Sequence, residues 1–205
     1  MINLLGPLPC PAQQPPPPPP PRGPHPPPNP PRIDDPKIIE RRITEIKLRL
    51  ERDTQDSAEA RELAAFTARY LSQAQLALRS GHNFAAERFA AAADDCRRPL
   101  EHLGQPDEQP FPLAAEAFRD HLRRVYFRLR LGAFFLDQIP QPKPTRILDL
   151  ARSFYSAALQ LSEKQRLSPA DRYLKSADDL THALEHLAQA SSNVATPPAP
   201  PPPPR

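Results

Sequence analysis

Three side chains at four-residue steps, Asp178, His182 and His186, have types and spacing that suit chemistry. On a helix they share one face, and two imidazoles with a carboxylate are the ligand set of a borderline divalent ion. The same face earlier in the chain has Arg98 where His182 stands, so such a site would exist once only. A closed site also needs ligands from a second element, and the sequence names none. A single-site metal-binding helical protein is therefore one alternative reading.

That face belongs to a repeat. The stretch ADDCRRPLEHLGQ (93–105) returns as ADDLTHALEHLAQ (177–189), and aligning 85–105 with 169–189 gives ten identities in 21 positions. The polar letters recur as faithfully as the leucines: Asp94 and Asp95, Glu101 and His102 reappear as Asp178 and Asp179, Glu185 and His186. Tyr173, Ala177, Leu180, Leu184 and Leu187 lie within about 40° of one line and form the inward stripe. The spacing thus predicts that the repeated acids and histidines face outward, to water or to a protein partner. A docking face used by both copies is one explanation. Inherited surface letters, paired along their own helices, are the other.

A second constellation is basic. Arg119, Arg123, Tyr126 and Arg130 share a face of one predicted helix, with Arg124 and Arg128 nearby and Asp120 as the only acid between 119 and 130. Guanidinium groups interleaved with an aromatic ring suit phosphates and stacked bases. The competing expectation is that these arginines pair with the acidic helix that follows Ser168.

Two short stretches resemble known families. LALRSGHNFAAERFAAAA (76–93) looks like the glycine–aromatic–alanine rhythm of tetratricopeptide-type helical hairpins, over under a tenth of the chain. Arg97-x4-His102 resembles the Arg-x4–6-His motif of HEPN ribonucleases. That resemblance implies that Arg97 orients a phosphate and His102 assists proton transfer at a dimer cleft. Arg98 stands where the motif prefers a different polar residue, and the later copy has Thr181 in place of the arginine. No Gly-rich phosphate loop, G-x-S-x-G elbow, cysteine pair or H-E-x-x-H is present, so catalysis has no further support in the sequence.

The elements that must position these residues are helices throughout. Asp35-Pro36 caps the first, with Ile39, Ile43, Ile46 and Leu50 as its stripe. Asp56-x-x-Glu59 reads as a capping box for the second, striped by Leu63, Phe66, Tyr70, Ala74 and Ala77 and stopped at Gly81. The third starts near Asn83, and Pro99 is expected to kink or split it. The fourth, about 113–138, is apolar on two sides: Phe118, Leu122, Val125, Leu129 and Leu136 on one, Phe127, Leu131 and Phe134 on the other. Two apolar sides predict a central helix. The fifth carries Ile147, Leu150, Phe154, Ala158 and Leu161, and Ser168-Pro169-Ala170-Asp171 opens the sixth. No segment alternates as strands do.

Composition marks where this domain stops. Of 32 prolines in 205 residues, 17 fall in 1–36 and 7 in 197–205, against 5 glycines in the whole chain. The arms read as disordered or polyproline II segments. They contain three P-x-x-P-x-R matches ending at Arg22, Arg32 and Arg205, a pattern that polyproline-binding domains accept. The net charge of +3 comes from those same three arginines, leaving 24 basic against 24 acidic residues in the body. A neutral body disfavours general nucleic-acid binding. Cys10 and Cys96 make no disulfide framework, and no run is long enough for a signal peptide or a membrane span, so a cytoplasmic protein is expected.

The sequence thus predicts an all-α fold: a six-helix bundle or array of two tandem three-helix units, near 36–105 and 112–190. Disordered proline-rich tails at 1–33 and 194–205 would flank a helical domain at 34–193. The expected function is a non-catalytic adaptor or scaffold without cofactor, whose partner-binding residues are the repeated acids and histidines. The alternatives are an RNA-associated helical protein, with or without HEPN-like nuclease chemistry, and the metal binder.

Overall fold

The computed structural model describes residues 35–53, 57–105 and 114–194, and their regular structure is entirely helical. Six helices follow in order: α1 (Pro36–Leu50), α2 (Ala58–Arg79), α3 (Asn83–Gly104), α4 (Ala115–Gln138), α5 (Thr145–Glu163) and α6 (Leu167–Val194). The proline-rich arms and their P-x-x-P-x-R matches lie outside the described residues. Among the described residues no helix is long and apolar enough to cross a membrane.

Local chemistry sets most of the boundaries. Asp35 accepts a hydrogen bond from the Lys37 amide at 2.9 Å, with Pro36 opening α1 as expected. At α2 the cap is Ser57, whose hydroxyl accepts from the Ala60 amide at 3.0 Å; it takes the role expected of Asp56. The turn after α2 places Gly81 at φ 75°, with the Gly81 amide donating to Leu78 and the His82 amide to Ala77. The turn after α5 is built the same way. Gln165 sits at φ 61°, its amide donates to Ser162, and the Arg166 amide donates to Leu161. Glycine adopts this left-handed conformation freely, whereas glutamine is strained there.

Two boundary expectations change. α3 runs unbroken from Asn83 to Gly104 through Pro99, which is buried and leaves the Asp95 carbonyl without the amide of residue 99. α6 begins at Leu167, so Ser168 and Pro169 fall within its first turn, where amides have no helical acceptor and proline costs little.

Among the six helices the central ones are α3 and α6, not α4. α6 packs against α3, α4 and α5, and α3 packs against α1, α2 and α6. Both central helices are rich in buried alanine, including Ala86, Ala90, Ala93, Ala177, Ala183 and Ala188. Alanine loses no side-chain entropy on burial and lets helix backbones approach closely. Larger residues such as Leu100, Leu180 and Leu184 fill the remaining core.

α4 lies on the flank. Its stripe of Phe118, Val125, Leu129 and Leu136 is buried, but Phe127, Leu131 and Phe134 are 62%, 37% and 59% exposed. Gly132 explains the docking on one side only. A Cβ there would stand 3.3 Å from Leu148 and 3.5 Å from Leu184, so this side of α4 fits closely against α5 and α6.

Candidate functional site

The repeated polar letters meet one another where α3 crosses α6. His102 Nε2 lies 2.9 Å from Asp179 Oδ2, and His186 Nε2 lies 3.5 Å from Asp95 Oδ2. The arrangement is reciprocal: an aspartate of each helix faces a histidine of the other. Arg98 reaches into the same seam, 3.1 Å from Asp95, 3.2 Å from Asp94 and 3.5 Å from Asp179. Asp94, Asp95 and Asp179 are all buried, and Asp178 is half-buried against Arg128 of α4 at 3.3 Å. The expectation that these residues face outward is therefore corrected for the aspartates. A wheel of one helix counts carboxylates as surface, whereas a helix covered on several sides buries them wherever a neighbour supplies a donor.

Burial and charge set the protonation of this seam. Burial, against the opposing pull of Arg98, pushes Asp95 up to about 8, and the nearby Asp179 and Asp94 add to the rise. Burial, with Arg88 beside it, pushes His186 down to about 4. Arg88 Nη1 lies 3.2 Å from His186 Nδ1 and can only donate, so Nδ1 accepts and the ring proton sits on Nε2, toward Asp95. Asp95 and His186 thus stand at ion-pair distance while burial disfavours the charged form of each.

Arg97 is the most completely enclosed charge. It is 2% exposed, and its three nitrogens face three carboxylates: Asp53 at 2.8 Å, Glu101 at 3.0 Å and Asp94 at 3.3 Å. Burial opposes its charge, but these acids outweigh it and raise its pKa further. The HEPN resemblance asks Arg97 and His102 to converge on a phosphate. Here Arg97 is held by the segment after α1 and by its own helix, while His102 turns to α6. Asp178, His182 and His186 do not converge on an ion either. Among the described residues no three His, Cys, Asp or Glu side chains are grouped to hold a metal.

Other pairs, buried and exposed, tie the helices together. His121 of α4 lies 2.6 Å from Asp171 of α6; burial would raise Asp171, but His121 and Lys175 outweigh it and hold it low. Arg42 of α1 meets Glu87 of α3 at 2.8 Å, and Arg146 of α5 grips both oxygens of Glu62 of α2 at 2.8 and 2.9 Å. Of the last repeated letters, Glu101 is exposed beside Arg97 and Glu185 is half-buried beside Gln189.

The outer face of α4 is the opposite case. Arg119, Arg123, Arg124, Tyr126 and Arg130 are all exposed there. Among the described residues the expected pairing with α6 is made by Arg128 alone, and Arg123 reaches only Asp120 of its own helix, at 3.5 Å with both side chains largely exposed. α5 then adds two residues that a search along single helices overlooks, Arg152 and Tyr155. With Tyr126, Leu129, Arg130 and Ala133 they line a groove of about 440 Å³, and the two tyrosine rings lie 6.2 Å apart at 42°. A signal was available, because Arg152-x-x-Tyr155 repeats the spacing of Arg123-x-x-Tyr126. Compared with known proteins, the chain matches no family model, no curated sequence and no solved structure.

Proposed function

We propose that this chain is a non-catalytic helical adaptor or scaffold protein, built from two tandem three-helix units and docking its partner through the outer face of α4. The observation that carries this reading is the ridge of Phe127, Leu131 and Phe134, exposed at helical spacing and edged by Arg124. Aromatic residues and arginines are the side chains enriched at the energetic centres of protein interfaces. Contiguous exposed apolar surface of this kind is kept for contacts rather than for solvation. The partner that fits is an amphipathic helix, its apolar face on the ridge and its acidic flank toward the arginines.

Support for the duplicated architecture comes from the ten identities, from the reciprocal Asp–His pairs and from the matching turns at Gly81 and Gln165. On this reading the docking surface moves away from the repeated acids and histidines, which serve to join the two units.

The test is capture from native lysate after nuclease treatment, using the full chain and its Phe127→Asp/Phe134→Asp variant. Specific proteins should be retained by the wild type and lost with the ridge variant. Retention that ignores both substitutions sinks the assignment of the ridge.

A further inference from the structure

We propose that the groove between α4 and α5 binds single-stranded nucleic acid, with a base stacked on Tyr126 or Tyr155 and the backbone held by Arg130, Arg152 and the arginines that continue along α4. This site lies beside the Phe127–Phe134 ridge and does not depend on the protein-docking reading.

Three observations combine. First, the groove joins two aromatic rings and two guanidinium groups from different helices, so it is a built concavity rather than one charged helix face. Its volume of about 440 Å³ lies within the range of small-ligand sites. The rings are tilted by 42° rather than stacked face to face, and Tyr126 is 54% exposed. Second, the cations are available. Among the described residues Arg130 has no ion-pair partner, and Arg152 meets only Asp149, at 4.0 Å with both side chains about half exposed. Third, the charge continues. Arg119, Arg123, Tyr126 and Arg130 fall within about 60° of one line on α4, and Arg119 to Arg130 spans about 16 Å along the axis.

The chemistry selects the ligand class. A purely anionic ligand would need the arginines but not the tyrosines, and an apolar one the reverse. Alternating π-faces and guanidinium groups match a strand that alternates bases with phosphates. The groove is open to solvent between its two helices, which suits unpaired bases rather than the edges of a duplex. No sequence preference is expected, since every base offers a π-face.

The experiment is fluorescence anisotropy with a labelled twelve-nucleotide oligouridine and the full chain. Binding should weaken roughly twenty-fold between 50 and 200 mM salt, as about three phosphate contacts require. Arg130→Glu/Arg152→Glu should reduce affinity at least tenfold and flatten the salt dependence. Tyr126→Ala, at an exposed position, should reduce affinity roughly five-fold or more while leaving the salt slope unchanged. Phe127→Ala/Phe134→Ala, which adds no charge beside Arg123 and Arg130, should lose far less than either, which separates this site from the protein-docking ridge. Each variant is compared at matched thermal stability. Absence of binding at 50 mM salt overturns the proposal, as does binding that survives the double arginine reversal. Binding that follows charge but ignores Tyr126 leaves a non-specific polyanion surface and overturns it equally.

Discussion

The α3–α6 seam and the outer face of α4 use the same side-chain types to opposite ends. In the seam, buried aspartates face a half-buried arginine and half-buried histidines; on α4, arginines and aromatic rings are exposed with few partners of their own. A charge that has lost its water must be held in place by protein, so changing one seam residue strands its partners. A side chain still in water can change with little cost to folding. The first region therefore governs stability, and the second is free to serve binding.

The sharpest way to break this contrast is Arg97→Ala. It leaves Asp53, Asp94 and Glu101 without the guanidinium at their centre, and a loss of about 3–5 kcal/mol is expected from urea unfolding. A loss below about 1 kcal/mol would show the buried charges around Arg97 to be no more coupled than an ordinary surface.

The next effect is a pH dependence. Asp95 rises from 3.8 to about 8 and His186 falls from 6.5 to about 4 on folding. Between roughly pH 4 and 6.5 the native chain holds one extra proton on Asp95 and lacks one on His186, so the two effects cancel. From about 6.5 to 8 only the Asp95 proton differs, the native state binds more protons, and stability falls as pH rises. The expected loss is up to about 2 kcal/mol over that window, read by denaturation at pH 6 and pH 8. Asp95→Asn should remove the fall.

Away from both regions, Gln165→Gly should stabilise by about 1 kcal/mol by relieving a left-handed glutamine, the gain being reduced by the added freedom of the unfolded chain. At the quiet end, Phe127→Ala and Phe134→Ala should move stability by no more than about 0.5 kcal/mol. A large loss there would mean that the ridge is structural after all.

The sequence carried the helices well. Asp35-Pro36, Gly81 and the 3.6-residue stripes are local signals that act through backbone and capping chemistry close in the chain, and each stands where it was expected. What it hid was the identity of the central helices. Phe127, Leu131 and Phe134 look more deserving of burial than the alanines of α3 and α6, but close approach depends on how small a residue is as much as on how apolar. The histidine partners of Asp95 and Asp179 were invisible to any one-helix projection, because they lie on the other central helix. Only the fidelity of the repeated Asp-Asp and Glu-His pointed to them. Arg152 and Tyr155 were missed for a related reason, since a groove between two helices has no periodicity in either one.

The reciprocal pairing has a consequence for how the chain can be divided. Asp95 and His102 come before α4, and His186 and Asp179 come after it, so each half of the polypeptide holds one acid and one base of the two cross-pairs. Neither half can complete these two Asp–His pairs by itself, because each acid meets its histidine on the other half. Cut between α3 and α4, the two pieces should behave as mutually dependent subunits: poorly folded apart, and recovering helicity when mixed in equal amounts.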